Sequence, residues 1–198
     1  LFLLKILLIE EYCLHCYLKE LYKCILAYNI YYKKMIKVSC YKTIQEKLPK
    51  AFCMLAEKCY HNSIKLFVHT NSKEYTFELD RVLWTYSKKQ FIPHATIHDL
   101  LPEEQPILIG SELKSLNNSS NMIIVNASES KIFSILSSVE NFPVTKCERL
   151  FFLCDNSSSV SSENIKNIIT KSSIGEFKFE SYVQDDTNGW RVQNIIND

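Results

Sequence analysis

The sequence predicts a three-layer α/β/α domain with a central, mainly parallel or mixed sheet. Three observations carry that expectation. Short apolar or alternating runs recur along the chain, as strands of a covered sheet do. Amphipathic stretches of about ten to fifteen residues separate most of them. Strands joined through helices need crossover connections, which place helices on both faces of the sheet. The expected order is strand, helix, strand, helix, strand, strand, helix, strand, helix, strand.

Each element has its own signal. Ile36 to Tyr41 alternates like a strand. Leu48, Phe52, Leu55, Ala56 and Cys59 recur at helical steps, with Pro49 tolerated near the first turn. His61-Asn62-Ser63 breaks that helix, and Ile64 to His69 reads as a largely buried strand. Asn71-Ser72 supplies a helix N-cap with Glu74 close behind, and Tyr75, Leu79, Val82 and Leu83 form the apolar face. Residues 90–105 contain two prolines, with Pro106 immediately after, and are expected to be irregular. Strands return at Ile107 to Ile109 and Met122 to Val125, with a Ser/Asn-rich loop over residues 111–121 between them. A helix over residues 128–139 presents Ile132, Phe133, Ile135 and Leu136, and Glu148 to Cys154 is a further strand. Residues 157–162 read as a polar connection ending in an N-cap. The last helix carries Ile165, Ile168 and Ile169, with Gly175 suited to a left-handed cap. Phe177, Phe179, Tyr182 and Val183 suggest a final strand.

The first 34 residues differ from the rest. They hold six of the eleven tyrosines and three of the eight cysteines, with no Gly or Pro. Leu1 to Ile9 is apolar but far short of the ~20 residues that a membrane span needs. It also lacks the basic start and small-residue cleavage site of a signal peptide. Residues 1–34 are therefore read as an upstream extension, Met35 as the start of the folded unit, residues 35–192 as the domain and 193–198 as a frayed end. A cytoplasmic protein with reduced, mostly core thiols is expected. Cys13-Leu14-His15-Cys16 resembles half of a zinc site, but the second ligand pair is missing.

Composition narrows the function. The chain has 198 residues, is 46% hydrophobic, and carries 23 Lys and Arg against 22 Asp and Glu, a formal charge of +1. Removing the five lysines and three glutamates of residues 1–34 leaves −1. Such a balance gives little long-range attraction to nucleic acid or to an anionic membrane. Only Gly110, Gly175 and Gly189 are glycine, so neither a dinucleotide fingerprint nor a P-loop can be built. There is no Gly-x-Ser-x-Gly elbow and no recognisable nucleophilic cysteine. His94, His98 and Asp99 could suggest a metal or acid–base cluster, but Pro93 and Pro102 deny them the helix that their spacing requires. Glu103-Glu104 and Asp185-Asp186 read as solvated loop pairs. No catalytic residue, metal or cofactor is expected.

The informative stretch is residues 78–94. A helix end, Leu79-Asp80 and Leu83-Trp84, leads through a turn into Phe91-Ile92-Pro93-His94. Pro93 holds Ile92 in an extended conformation, which stiffens the segment bearing Phe91. Trp84 and Phe91 together offer the aromatic surface that anchors protein interfaces, or else plug the helix onto the sheet.

This stretch resembles the chi subunit family of bacterial DNA polymerase III, on Leu79, Asp80, Leu83, Trp84, Phe91, Ile92, Pro93 and His94. The resemblance runs over about residues 35–191 and includes the strands near residues 107, 123 and 149 and the ending Asn188-Gly189-Trp190. It implies a non-catalytic accessory subunit that links the clamp-loader assembly to single-stranded-DNA-binding protein, touching DNA only indirectly. It also implies a psi-facing surface at Phe91, with Trp84 and Pro93 in support. A second surface for the acidic tail of single-stranded-DNA-binding protein is implied around the last helix. Here Cys154 and Ile169 are the candidate wall, with Lys166 and Lys171 the candidate rim, since an acidic tail needs cations to pair its carboxylates. The family helix is richer in arginine than this one. The alternatives are direct nucleic-acid binding and a nucleotide- or thiol-dependent α/β protein.

Overall fold

A computed structural model describes residues 35–193 apart from 89, 114–116, 138–146, 159 and 173–175. The Cys13–Cys16 pair, the Gly175 cap, the helix end at Val139 and the whole of residues 1–34 lie outside the described residues.

Strand β1 (Ile36–Thr43) is followed by helix α1 (Leu48–His61), β2 (Leu66–His69), α2 (Lys73–Thr85) and β3 (His94–Thr96). Then come β4 (Ile107–Gly110), β5 (Asn121–Val125), α3 (Glu129–Ser137), β6 (Arg149–Asp155), α4 (Ser162–Lys171), β7 (Phe177–Gln184) and β8 (Trp190–Gln193). The strands form one sheet in the order β3-β4-β2-β5-β6-β1-β7-β8. Every pairing is parallel except β7 with β8. The expected α/β/α layering is therefore present, with a mixed sheet.

The helices form where the periodicity puts them. In α1, Leu48, Ala51, Phe52, Leu55, Ala56 and Cys59 are buried on one stripe. Pro49 lies in the first turn, where a missing N–H costs no helical bond. The chain leaves α1 through Ser63, at φ 55°. The Ser72 hydroxyl accepts from the Tyr75 N–H and caps α2, and the Ser161 hydroxyl does the same for α4 through Asn164.

α1 and α2 pack with Leu66, Val68, Ile107, Ile109, Ile123, Val125, Phe151 and Leu153 on one face of the sheet. α3 and α4 pack with Ile36, Val38, Cys40, Phe67, Leu108, Met122, Ile124, Leu150 and Phe152 on the other. Cys40, Cys53, Cys59, Cys147 and Cys154 are free and buried, as expected of core thiols. Burial pushes the Cys53 thiol up to about 12 and that of Cys59 to about 11, so both are protonated at neutral pH.

Two elements depart from expectation. The span 90–105 is not irregular throughout, because β3 forms at its centre and a 3-10 turn follows at Pro102–Glu104. Pro93 stops just short of β3, so its missing N–H costs the ladder nothing, and β3 pairs with β4 alone at the sheet edge. The second is β8, reached through the turn after β7. Asp185 is not merely solvated: its carboxylate accepts from the Thr187 and Gly189 N–H groups and pairs with Arg191 at 3.2 Å. Those bonds hold the Asp185 carboxyl below its ordinary range, the Thr187 hydroxyl contributing most. Gly110 permits a close approach at the other edge, since a Cβ there would come 2.5 Å from Ile97 Cγ2.

Candidate interaction sites

The residues singled out at the end of α2 come together. Leu79 and Leu83 point into the core, while Trp84, one residue on, points out and is 57% exposed. The chain then turns, and Ile92 is buried at 3% while Phe91 beside it is 57% exposed. Ile92 therefore anchors the segment, and Pro93 stiffens it. The Trp84 and Phe91 rings lie 5.1 Å apart at an interplanar angle of 36°.

His94 locks this arrangement from below. Its ring is 5.1 Å from that of Trp84 and 6.4 Å from that of Phe91. Nδ1 is 2.7 Å from the Ile92 carbonyl oxygen, and Nε2 lies 3.3 Å from the Asp80 carbonyl oxygen and 3.4 Å from Asp80 Oδ1. Burial raises the Asp80 carboxyl above its usual range, and His94 opposes that shift. The Leu-Asp and Pro-His ends of the motif thus meet through one imidazole. Among the described residues no group of three His, Cys, Asp or Glu could hold a metal ion. The Asp99 carboxylate instead accepts from the Thr96 N–H and hydroxyl in the turn after β3.

The exposed apolar surface is wider than the sequence suggested. Phe77 lies seven residues before Trp84 on the same face of α2, is 45% exposed, and packs 5.9 Å from the His98 ring. Leu100 and Leu101 follow in the turn beyond β3, and both are exposed. Leu101 holds a left-handed backbone at φ 53°, which costs a leucine about 1 kcal/mol or more. The i, i+7 spacing of Phe77 and Trp84 was a readable signal. That Leu100 and Leu101 face outward was not.

The residues chosen around α4 are arranged differently. Lys171 is exposed and Lys166 is half-buried on the helix. Cys154 and Ile169 sit in the packed layer beneath it, at 2% and 1% exposure. They line the core and not the pocket that the sequence predicts, and the half-buried Ile168 is the apolar side chain nearest solvent among the helix isoleucines. Asn164 donates from Nδ2 to the Glu129 carboxylate, tying α4 to α3.

A separate hollow opens on the other face of the sheet, beyond the end of α1. It measures about 520 Å3 and is lined by Lys37, Ser39, Tyr41, Lys58, Arg149 and Tyr182 among others. No helix among the described residues is long and apolar enough to cross a membrane.

Comparison with known proteins places the chain in a family. The family model for DNA polymerase III chi subunit, HolC, matches residues 35–164. A protein of Rickettsia prowazekii (strain Madrid E), described as "Probable DNA polymerase III subunit chi", is 35% identical over 163 residues. That alignment covers 80% of this chain and 92% of the relative. The matched region holds β1 to β6, the Trp84–Phe91 pair and the His94 lock. The chain belongs to the DNA polymerase III chi subunit family.

Proposed function

We propose that this chain is a non-catalytic accessory subunit that couples the clamp-loader assembly to single-stranded-DNA-binding protein during DNA replication in the cytoplasm. The observation that carries the reading is the exposed pair Trp84 and Phe91, held rigid by buried Ile92 and by His94. Aromatic side chains fixed on a stiff backbone lose little conformational freedom on docking, and such residues dominate interface energies. A psi subunit, or an equivalent clamp-loader component, covers this patch, with Pro93 and Phe77 at its margin.

The second partner is the acidic C-terminal tail of single-stranded-DNA-binding protein. Lys166 and Lys171 supply the charges and Ile168 the apolar contact on α4, while Cys154 and Ile169 support the helix from beneath. Through these two surfaces, contact with DNA is indirect, by way of that partner. Residues 35–192 suffice for both interactions, and residues 1–34 are dispensable.

A pulldown of the form beginning at Met35 tests this reading. Wild type should retain the clamp-loader component and single-stranded-DNA-binding protein together. Phe91→Ala with Trp84→Ala should lose the first by about a hundredfold to a thousandfold in affinity, since hot-spot aromatics contribute about 2 kcal/mol or more each and are not fully additive. Reversing Lys166 and Lys171 to Glu should weaken only the second. Unchanged binding in both variants would reject the assignment.

A further inference from the structure

The hollow beyond α1 has a floor whose pattern only the sheet register reveals. On this face β6, β1 and β7 set their side chains in rows. Arg149, Lys37 and Lys178 stand abreast in the first row, and Phe151, Ser39 and Glu180 in the second. Leu153, Tyr41 and Tyr182 make the third. Lys58 overhangs from the end of α1.

The first row is unfavourable as it stands. Like charges directly opposite on neighbouring strands destabilise a sheet. Glu180 offsets part of this: it pairs with Lys178 at 2.8 Å and attracts Lys37 at longer range, and its other oxygen accepts from the Tyr182 hydroxyl at 2.7 Å. Among the described residues no carboxylate forms an ion pair with Lys37, Lys58 or Arg149. The second row is hollow at its centre, because Ser39 is small between Phe151 and Glu180. The third row is an aromatic wall: Tyr41 and Tyr182 stack at 4.9 Å and 11°, and Trp190 meets Tyr41 edge-on at 4.8 Å.

We infer that this hollow binds a nucleoside phosphate, with the phosphate on the Arg149–Lys37–Lys178 row and the flat base against the Tyr182–Tyr41 wall. The volume falls within the range of small-ligand sites, about 300–1,000 Å3. Cations beside accessible aromatic rings are the pairing that unstacked nucleotides use, and Tyr41 and Tyr182 here are half-buried. Glu180, lying between row and wall, is placed to accept from an exocyclic amine. The near-neutral charge of the whole chain does not oppose this, since the local sum is four cations against one carboxylate. The ligand is either a free nucleotide or one unit of a single strand; both present the same chemistry. The site lies across the sheet from α4 and is independent of the two protein contacts proposed above.

The test is titration of the full chain, followed by heteronuclear NMR and calorimetry, with inorganic phosphate, a deoxynucleoside monophosphate, a short oligothymidylate and an acidic peptide. The nucleotide should shift the amides of Lys37, Arg149, Lys178 and Tyr182 and bind more tightly than phosphate. Equal affinity of nucleotide and oligomer identifies a free nucleotide as the ligand, and a tighter oligomer identifies a strand. Lys37→Glu and Lys58→Glu lie at exposed positions that do not threaten the fold, and each should weaken binding about tenfold. Tyr182→Ala should weaken the nucleotide while leaving phosphate unchanged. A separate signature comes from the bare protein. Lys37→Thr should raise the Tm without ligand, because it relieves the cation row. Tighter binding of the acidic peptide than of the nucleotide, equal affinity for phosphate and nucleotide, or no binding at all would overturn the inference.

Discussion

Strands β2, β4, β5 and, beyond Arg149, β6 are apolar on both faces, whereas β1 and β7 alternate. Leu66-Phe67-Val68, Ile107-Leu108-Ile109 and Met122-Ile123-Ile124-Val125 are buried without a break. In β1, by contrast, Ile36, Val38 and Cys40 face α4 while Lys37, Ser39 and Tyr41 face the hollow. β7 repeats the pattern, with Phe177 and Phe179 inward and Lys178, Glu180 and Tyr182 outward. Among the described residues, the difference marks where helical cover stops. Strands under helices on both sides need continuous apolar runs, and strands with one bare face need a period of two. The bare wing is where this fold has room for recognition.

That contrast can be broken by mutation. Phe152 is fully buried in β6, and Phe152→Ala should cost about 3–5 kcal/mol in denaturant unfolding. Lys37→Ala on the bare wing should stay within about 0.5 kcal/mol. Similar losses at the two sites would mean that the wing is as tightly packed as the centre.

A pH titration probes the same central half. Burial holds the His69 imidazole down at about 4, Lys131 pushes it the same way, and the Gly110 carbonyl opposes them. Its Nε2 is buried without a hydrogen-bond partner. A folded value below the unfolded one, about 6.5, means that the unfolded chain binds the extra proton. The contribution is whole above pH 6.5 and is lost as the pH falls toward 4, amounting to about 3 kcal/mol. Stability curves of wild type and His69→Gln should converge in slope above that window and diverge within it.

Smaller effects sharpen the picture. Ser72→Ala removes the α2 cap and should cost about 1 kcal/mol in thermal unfolding, a modest loss in the element that carries Trp84. Trp84→Ala should change stability by no more than about 0.5 kcal/mol, since the ring is more exposed than buried. A cost of several kcal/mol there would make Trp84 a structural plug, not a docking residue.

Much of this was readable in the residues. The alternation in Ile36 to Tyr41 and the unbroken Ile107–Ile109 and Met122–Val125 runs located strands, and the three- and four-residue steps located helices. The aromatic motif could be read because its parts lie within seventeen residues of each other. The three-residue β3 escaped because prolines surround it and its pairing is one-sided. β8 escaped because it is short and mostly exposed, held by the Asp185 turn. Cys154 and Ile169 were placed at a surface because helix periodicity gives a buried side without saying how deep it lies. The Arg149–Lys37–Lys178 row was invisible, since no local pattern reports which distant strands lie side by side.

The position of β1 has a consequence for how the molecule is assembled. Among the described residues the first strand lies between β6 and β7, and its hydrogen-bonding edges are satisfied only by residues from Glu148 onward. On a ribosome, Ile36–Thr43 would wait with both edges bare until most of the polypeptide had been made. Contacts so far apart in sequence close slowly and leave sticky edges in the meantime. Nascent chains halted before β6 should therefore be the ones that depend most on chaperones, although α1, α2 and β2 are already complete in them.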